Sequence, residues 1–230
     1  MRAILLAAGL GTRLKPITNT TPKCMVQIQG IPLLGYWLDL LLSDGVEQVL
    51  INTHYLPDIV RAFVEASRWS KSITLVHEDK LLGTGGTVLK NRAFSVGQPL
   101  MVVHADNLTR FKPSVFASAH ANRHKGTCIT MMTFDTDIPQ SCGIVELDPF
   151  GVVQAFHEKV SNPPGTRANA AVYIFEPEVI DFIDSLGKEF CDISTEVLSH
   201  FIARIQAFHN TDYHRDIGTP ESLALAQQEF

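Results

Sequence analysis

Apolar residues along this chain fall into short runs separated by amphipathic stretches, and the alternation changes character near residue 126. The runs at 2–7, 48–53, 72–77 and 99–104 read as strands buried on both faces, with helices between them at 32–44, 56–66 and 85–91. That βαβ order predicts an α/β fold built on a parallel sheet with helices on both faces. From residue 127 strand-like segments dominate, at 128–134, 143–147, 152–157 and 170–175, before helices return at 177–185 and 193–204. This second half reads as a mixed sheet completing the same domain. The turn-rich loop at 161–165 has strand-like sequence on both sides and marks no boundary. The expectation is one domain over 1–230 with two lobes, 1–126 and 127–230.

The first strand breaks abruptly. After residues 3–7 come Gly9 and Gly11, then Thr12, Arg13, Lys15 and Lys23, and no Asp or Glu occurs before Asp39. Structural glycine would explain a strand-to-loop turn, but not that company. Backbone N–H groups beside an Arg fork and a Lys point charge are what a polyphosphate requires, so the loop reads as an anion site. Two common nucleotide motifs are absent. The glycine pair has no third glycine of a dinucleotide fingerprint, the strand at 49–53 ends in His54 with no acid for a ribose, and no GxxxxGK[ST] element follows.

Two acids stand at telling places. Asp106 closes the apolar run Val102-Val103-His104-Ala105, at the strand end where α/β sheets bind ligands and where a carboxylate can hold Mg²⁺ against phosphates. A turn or capping role is the plainer alternative. Asp216 lies just outside a helix start, Thr219 as N-cap and Pro220 as N1. Gly83, Gly85 and Gly86 precede a helix and permit close approach by a flat group, although helix entry alone explains part of this.

The stretch LAAGLGTRLKPITNTTPK, residues 6–23, resembles the signature LAxGxGTRLxPxTxxxPK of the sugar-phosphate nucleotidyltransferases, with Leu6, Ala7, Gly9, Gly11, Thr12, Arg13, Leu14, Pro16, Thr18, Pro22 and Lys23 in place. The resemblance continues through LLGTGG at 81–86, FHEK at 156–159, the Asn169 segment and DIGTPE at 216–221. It implies a Rossmann-like three-layer α/β/α fold, with a nucleotide-binding half at 1–126 and a mixed-strand sugar-binding half with a C-terminal helix at 127–230. It implies Arg13 and Lys23 as catalytic residues, and nucleotide contacts from Leu6, Ala8, Gly9, Gly11, Thr12, Gly83, Thr84 and Gly85. Sugar-phosphate contacts would come from Asn107, Gly143, Glu158, Lys159 and Asn169. Asp216 would join Asp106 on Mg²⁺, the one cofactor implied.

Some positions depart from the family pattern: Cys24 for Pro, Ala105 for Gly, Cys142 for an aromatic, Val160 for Pro and Ala171 for Gly. They bear on the identity of the sugar more than on the reaction. An exposed ion pair is the plainer reading of Glu158-Lys159 taken alone. His120 and His124, at i,i+4 spacing with no third ligand, read as a solvated helix face. Cysteines 24, 128, 142 and 191 form no CxxC pair and read as buried small hydrophobes, and the leucines at 38 and 40–42 as core.

With 45% apolar residues the chain can bury a substantial core, and its net charge of −5 argues against a general nucleic-acid surface. No run approaches a membrane span and no signal-peptide pattern opens the sequence, so a cytoplasmic enzyme is expected, monomeric or homodimeric. The implied reaction joins an NTP and a sugar 1-phosphate into an NDP-sugar and pyrophosphate, in the supply of cell-envelope polysaccharide. The short length, with no acyltransferase β-helix after DIGTPE, and the stretch Asp192-Ile-Ser-Thr-Glu-Val look most like small guanylyltransferases acting on mannose or heptose 1-phosphate, with uridylyl and thymidylyl relatives close behind. The rivals are a metal-dependent glycosyltransferase, which would want a DxD motif where His104-Ala105-Asp106 stands, and a non-catalytic NDP-sugar-binding protein.

Overall fold

The computed structural model describes all residues, Met1–Phe230. In chain order the elements are β1 (Arg2–Leu6), β2 (Gln27–Ile28), β3 (Ile31–Pro32), α1 (Leu33–Leu42), β4 (Gln48–Thr53), α2 (Pro57–Ala66), β5 (Ile73–His77), α3 (Gly83–Lys90), β6 (Leu100–His104), β7 (Asn107–Thr109), α4 (Pro113–Ala121), β8 (Ile129–Asp135), β9 (Gly143–Leu147), β10 (Val153–Glu158), β11 (Arg167–Phe175), α5 (Pro177–Ser185), β12 (Ile205–His209), β13 (His214–Asp216) and α6 (Pro220–Glu229). They form two compact units, Met1–Leu81 with Val103–Ser114 and Asp212–Phe230, and Leu82–Val102 with Val115–Thr211. The chain returns twice to the first of them.

In the first unit β1 runs parallel to β4, from Arg2 opposite Gln48 to Leu6 opposite Asn52, and β4 runs parallel to β5. Ala3, Ile4, Leu5, Val49, Leu50 and Ile51 are buried, as continuous apolar runs in a parallel sheet require. Helix α1 buries Leu33, Leu34, Trp37, Leu38 and Leu41. At roughly 1.5–3 kcal/mol per large apolar side chain, that face holds the helix down more firmly than its intrinsic propensity could. Trp37 also donates its indole N–H to the Asn107 carbonyl at 2.7 Å. A separate cluster of Leu14, Val26, Ile28, Leu33, Leu108, Ile217 and Ala226 fastens the loop after β1 to β7, to the segment after β13 and to α6.

The short β7–β13 ladder was not legible in the pattern. Its three antiparallel pairs put Asp216 opposite Asn107.

The second unit carries the mixed sheet that was expected. β9 pairs antiparallel with β10 and β11, β11 with β8, and β8 runs parallel to β12. The helix expected at 193–204 is absent. Ile193, Val197, Leu198 and Phe201 are buried at helical spacing, but they lie on two single turns, Ile193–Val197 and Leu198–Phe201. The chain then turns extended at Ile202 (ψ 140°) and left-handed at Ala203 (φ 64°), which ends the second turn and releases Ile205–His209 as a strand.

The reading of His120 is also corrected. α4 ends at Ala121, so His124 lies beyond it, and His120 is 3% exposed, its ring nitrogens 2.7 Å from Thr130 Oγ1 and 3.2 Å from Glu176 Oε1. Spacing alone could not say which face of α4 meets β8. Cys24, Cys128 and Cys191 are free and buried as expected, while Cys142 is partly exposed. No helix is long and apolar enough to cross a membrane.

Candidate active site

Ala7, the first residue after β1, donates its N–H to Asn52 Oδ1 at 2.8 Å. The loop then turns at Gly11, whose φ of 63° suits glycine and whose missing Cβ would sit 2.9 Å from Thr18 Cγ2 and 3.1 Å from Lys23 Cβ. Thr18 Oγ1 donates to the Gly11 carbonyl at 2.7 Å, the Leu14 N–H donates to the same oxygen, and the Leu14 side chain is fully buried. The loop is therefore anchored at both ends. Gly9 differs: a Cβ there would meet nothing within 4 Å, so packing does not require glycine. Thr12 is exposed, as is the Arg13 side chain at 65%.

Beside this loop the unit gathers the charged residues singled out in the sequence. Lys23 is 7% exposed, with Nζ 2.7 Å from Asp106 Oδ2 and 3.4 Å from Asp216 Oδ1. Arg13 Nη2 lies 3.8 Å from Asp216 Oδ2. Two acids distant in sequence meet because β13 pairs with β7 and the Ile217 N–H donates to the Asp106 carbonyl at 3.0 Å. α6 begins with a capping box between Thr219 and Ser222 behind Pro220, as its sequence predicts. Arg215 turns away from Asp216 and pairs with Glu229 at 2.9 Å.

Burial alone would push the Asp106 carboxyl up. The Lys23 ammonium, with help from His104 and the Lys23 hydrogen bond, outweighs that and holds it below the usual carboxylate range. Burial pushes His214 down to about 3 and the Cys24 thiol up to about 12, so neither carries charge at neutral pH.

Two carboxylates already converging on one cation suit a hard divalent ion that takes one or two protein carboxylates and completes its shell with phosphate and water. No cluster of three or more His, Cys, Asp or Glu residues could hold an ion unaided. The donor set therefore fits a metal that arrives with a phosphorylated ligand.

In the second unit β9 and β10 put Gly143 opposite Glu158, and a Cβ on Gly143 would lie 2.5 Å from the Phe156 ring and 2.7 Å from Glu158 Oε2. Lys159 follows at a φ of 50°, its N–H donating to the Cys142 carbonyl at 3.1 Å and its ammonium 3.2 Å from Glu158 Oε1. A left-handed lysine is a strained residue at a site already suspected of function. Asn169 Oδ1 accepts from the Ala171 N–H at 2.9 Å and its Nδ2 donates to Tyr173 Oη at 2.7 Å. Ala171 takes a φ of 54°, which explains why glycine suits that position better.

At the LGTGG stretch the chain itself packs closely on the glycines. A Cβ on Gly83 or Gly85 would strike Cys191, one on Gly86 the Glu189 carbonyl, and the Gly85 and Gly86 N–H groups both donate to the Cys191 oxygen. Thr84 Oγ1 donates to Asp192 Oδ2 at 3.2 Å and accepts from the Ile193 N–H at 2.7 Å. Asn107 is likewise buried, 5% exposed within its ladder.

Sequence reasoning missed Asn52, Glu78 and Gly218. Gly218 has no room for a side chain, since a Cβ would lie 2.6 Å from Asp216 Oδ2 and 2.9 Å from Arg13 Nη2. Asn52 and Glu78 had a signal in principle, a polar residue inside one apolar run and an acid just after the next.

The nucleotidyl transferase family model matches residues 2–230. Mannose-1-phosphate guanylyltransferase of Mycobacterium tuberculosis is 33% identical over 233 residues, covering 99% of this chain, and UTP–glucose-1-phosphate uridylyltransferase of a Synechocystis species is 33% identical over 206 residues, covering 83%. The chain spans 64% and 52% of the lengths of those two proteins. The crystal structure of HddC from Yersinia pseudotuberculosis complexed with GMP-PN shares the fold, with a TM-score of 0.82 at 24% identity over 100% of this chain and 99% of that one. This chain belongs to the nucleotidyl transferase family.

Proposed function

We propose that the chain makes an NDP-sugar from an NTP and a sugar 1-phosphate. A phosphate oxygen of the sugar phosphate attacks the α-phosphorus, the bond from that phosphorus to the bridging oxygen of the β-phosphate breaks, and pyrophosphate leaves with the electron pair. The nucleophile is already an anion, so no proton is moved and no general base is needed; what remains is alignment and charge neutralisation. The observation that carries this reading is the meeting of Asp106 and Asp216 on Lys23, beside a glycine loop that presents Arg13.

In this reading the backbone from Leu6 and Ala8 through Gly9, Gly11 and Thr12 receives the triphosphate. Arg13 holds the leaving pyrophosphate and Lys23 the α-phosphate. Mg²⁺ would be held by Asp106 and Asp216, and when bound it offsets the charge of the two phosphorylated substrates. Gly83 and Thr84 serve the base, Glu158 and Asn169 the sugar hydroxyls, Lys159 the sugar phosphate and Gly143 the close approach of the sugar ring. Gly85, whose N–H is already engaged, is assigned to packing, and Asn107 to holding the β7–β13 ladder.

GTP with mannose or heptose 1-phosphate is the favoured pair, its mannose member supported by the Mycobacterium relative's name; UTP with glucose 1-phosphate is the second reading, on the equal identity of the Synechocystis relative. Cytoplasmic NDP-sugar supply for a cell-envelope polysaccharide is the setting this implies. The test is a grid of four NTPs against several sugar 1-phosphates with Mg²⁺, scoring pyrophosphate. Release in one cell of the grid identifies both substrates. Silence across it removes the enzyme reading in favour of a non-catalytic binding protein.

A further inference from the structure

We infer that Asn52 and Glu78 are positioning residues for the glycine loop, acting as a buried two-step relay that fixes the Ala7 amide at the point where β1 becomes loop. The inference rests on the reading of that loop as a phosphate site. Ala7 donates to Asn52 Oδ1 at 2.8 Å, and Asn52 Nδ2 donates to Glu78 Oε1 at 3.0 Å. Both side chains are 2% exposed. Asn52 stands near the end of β4, which pairs with β1, and Glu78 directly follows β5, which pairs with β4, so the relay crosses the carboxyl ends of three parallel strands, where α/β sheets carry their ligands.

An apolar residue would fill the Asn52 position at lower cost, since it lies in the run Val49-Leu50-Ile51-Asn52-Thr53. A buried amide is costly unless bonded, and a buried carboxylate more so. The loop makes sense of both. Ala7 is the first residue that no longer belongs to the strand, and without a partner for its N–H the residues up to Gly11 would be free to swing about it. Asn52 alone could sit in either flip of its amide, and only the one that turns Oδ1 toward Ala7 accepts that bond. Glu78 can only accept from Asn52 when ionised, so it forces Nδ2 toward itself and leaves Oδ1 facing Ala7. Glu78 is itself fixed, its N–H donating to the Thr53 carbonyl at 2.9 Å and its own carbonyl 2.7 Å from His54 Nδ1.

The experiment uses Asn52→Ala, Asn52→Asp, Glu78→Gln and the double variant Asn52→Asp with Glu78→Gln. Amide hydrogen exchange of residues 7–11 is followed in the substrate-free protein, and KM for the NTP and kcat are measured separately. Asn52→Ala should speed exchange of the loop amides about tenfold, the worth of one buried hydrogen bond, and leave residues 2–6 unchanged. KM for the NTP should rise by a similar factor while kcat moves less than threefold. Asn52→Asp sets two carboxylates face to face and should be worse, and adding Glu78→Gln, which restores a donor between them, should bring loop exchange back. Unchanged loop exchange in Asn52→Ala, exchange that rises equally throughout the unit, or no rescue in the double variant overturns the relay. Exchange needs no substrate, so an inactive grid would remove the nucleotidyl-transfer reading and leave this measurement standing.

Discussion

Lys23 places its ammonium 2.7 Å from Asp106 Oδ2, and the same ammonium reaches Asp216 Oδ1 at 3.4 Å. A tethered cation thus sits on the carboxylate pair that would hold Mg²⁺. In Lys23→Met that cation is gone and only the exposed Arg13, 3.8 Å from Asp216, offsets the two carboxylates. Turnover should fall at least tenfold, as it should in Arg13→Ala, because each variant would remove the charge-assisted phosphate contact proposed for it, worth roughly 1.5–3 kcal/mol. Binding of Mn²⁺ without nucleotide, read by electron paramagnetic resonance, should instead tighten in Lys23→Met. Equal Mn²⁺ affinity in wild type and Lys23→Met would show that lysine and metal do not compete.

Asp106 and Asp216 should fail together. The β7–β13 ladder and the Ile217 N–H to Asp106 carbonyl bond hold both carboxylates at one cation. Asp106→Asn and Asp216→Asn should therefore each raise the Mg²⁺ concentration for half-maximal rate by about tenfold or more, one charged ligand being worth that much. A shift in only one of the two would break the shared-cation assignment.

The parts legible in the sequence were those fixed by local rules. Strands β1, β4, β5 and β6 announced themselves as apolar runs, and Thr219-Pro220 announced α6. Arg13, Lys23 and Asp106 stand out by residue type and position and Asp216 through the family resemblance, and the structure gathers them. What stayed hidden depends on non-local pairing. The β7–β13 ladder is three residues long and joins segments far apart in the chain, and β12 lay concealed because the apolar residues before it keep a helical period that Ala203 interrupts. The glycines of LGTGG pack against Cys191, a partner far along the chain that could not be read from spacing.

His120 gives the fold a defined acid sensitivity. Burial, with Arg123 adding and Glu176 opposing, pushes its imidazole down from 6.5 to about 4. The folded state thus favours the neutral ring. Its contribution is complete above the unfolded value of about 6.5 and is lost as the pH falls toward 4, roughly 3 kcal/mol in all at about 1.4 kcal/mol per pKa unit. Denaturant unfolding of wild type between pH 7 and 4 should show that decline, and His120→Gln should flatten it. A parallel decline in the variant would move the effect to other groups.

Ala171 offers a gain. It holds a left-handed φ of 54° inside the irregular stretch of β11, where the Asn169 side chain caps its N–H. Ala171→Gly removes the Cβ penalty and should stabilise the protein by about 1 kcal/mol, a rise in Tm of roughly 2–4 °C. A lower Tm would mean that the Cβ contributes more packing than strain.

Glu158 and Lys159 are adjacent in sequence and 3.2 Å apart through their charged ends, yet they should behave differently toward substrates. A sugar hydroxyl differs in position from one sugar to the next, whereas the phosphate is common to all. Glu158→Gln should therefore change the ranking of sugar 1-phosphates, since a charged hydrogen bond to a hydroxyl is worth roughly 1.5–3 kcal/mol and can reorder close substrates. Lys159→Ala should depress the whole series by a similar factor, and its strained φ of 50° means that Lys159→Gly should keep the backbone but share the loss. The measurement is kcat/KM for several sugar 1-phosphates at saturating NTP. A uniform drop for Glu158→Gln, or a sugar-selective one for Lys159→Ala, would exchange the two roles.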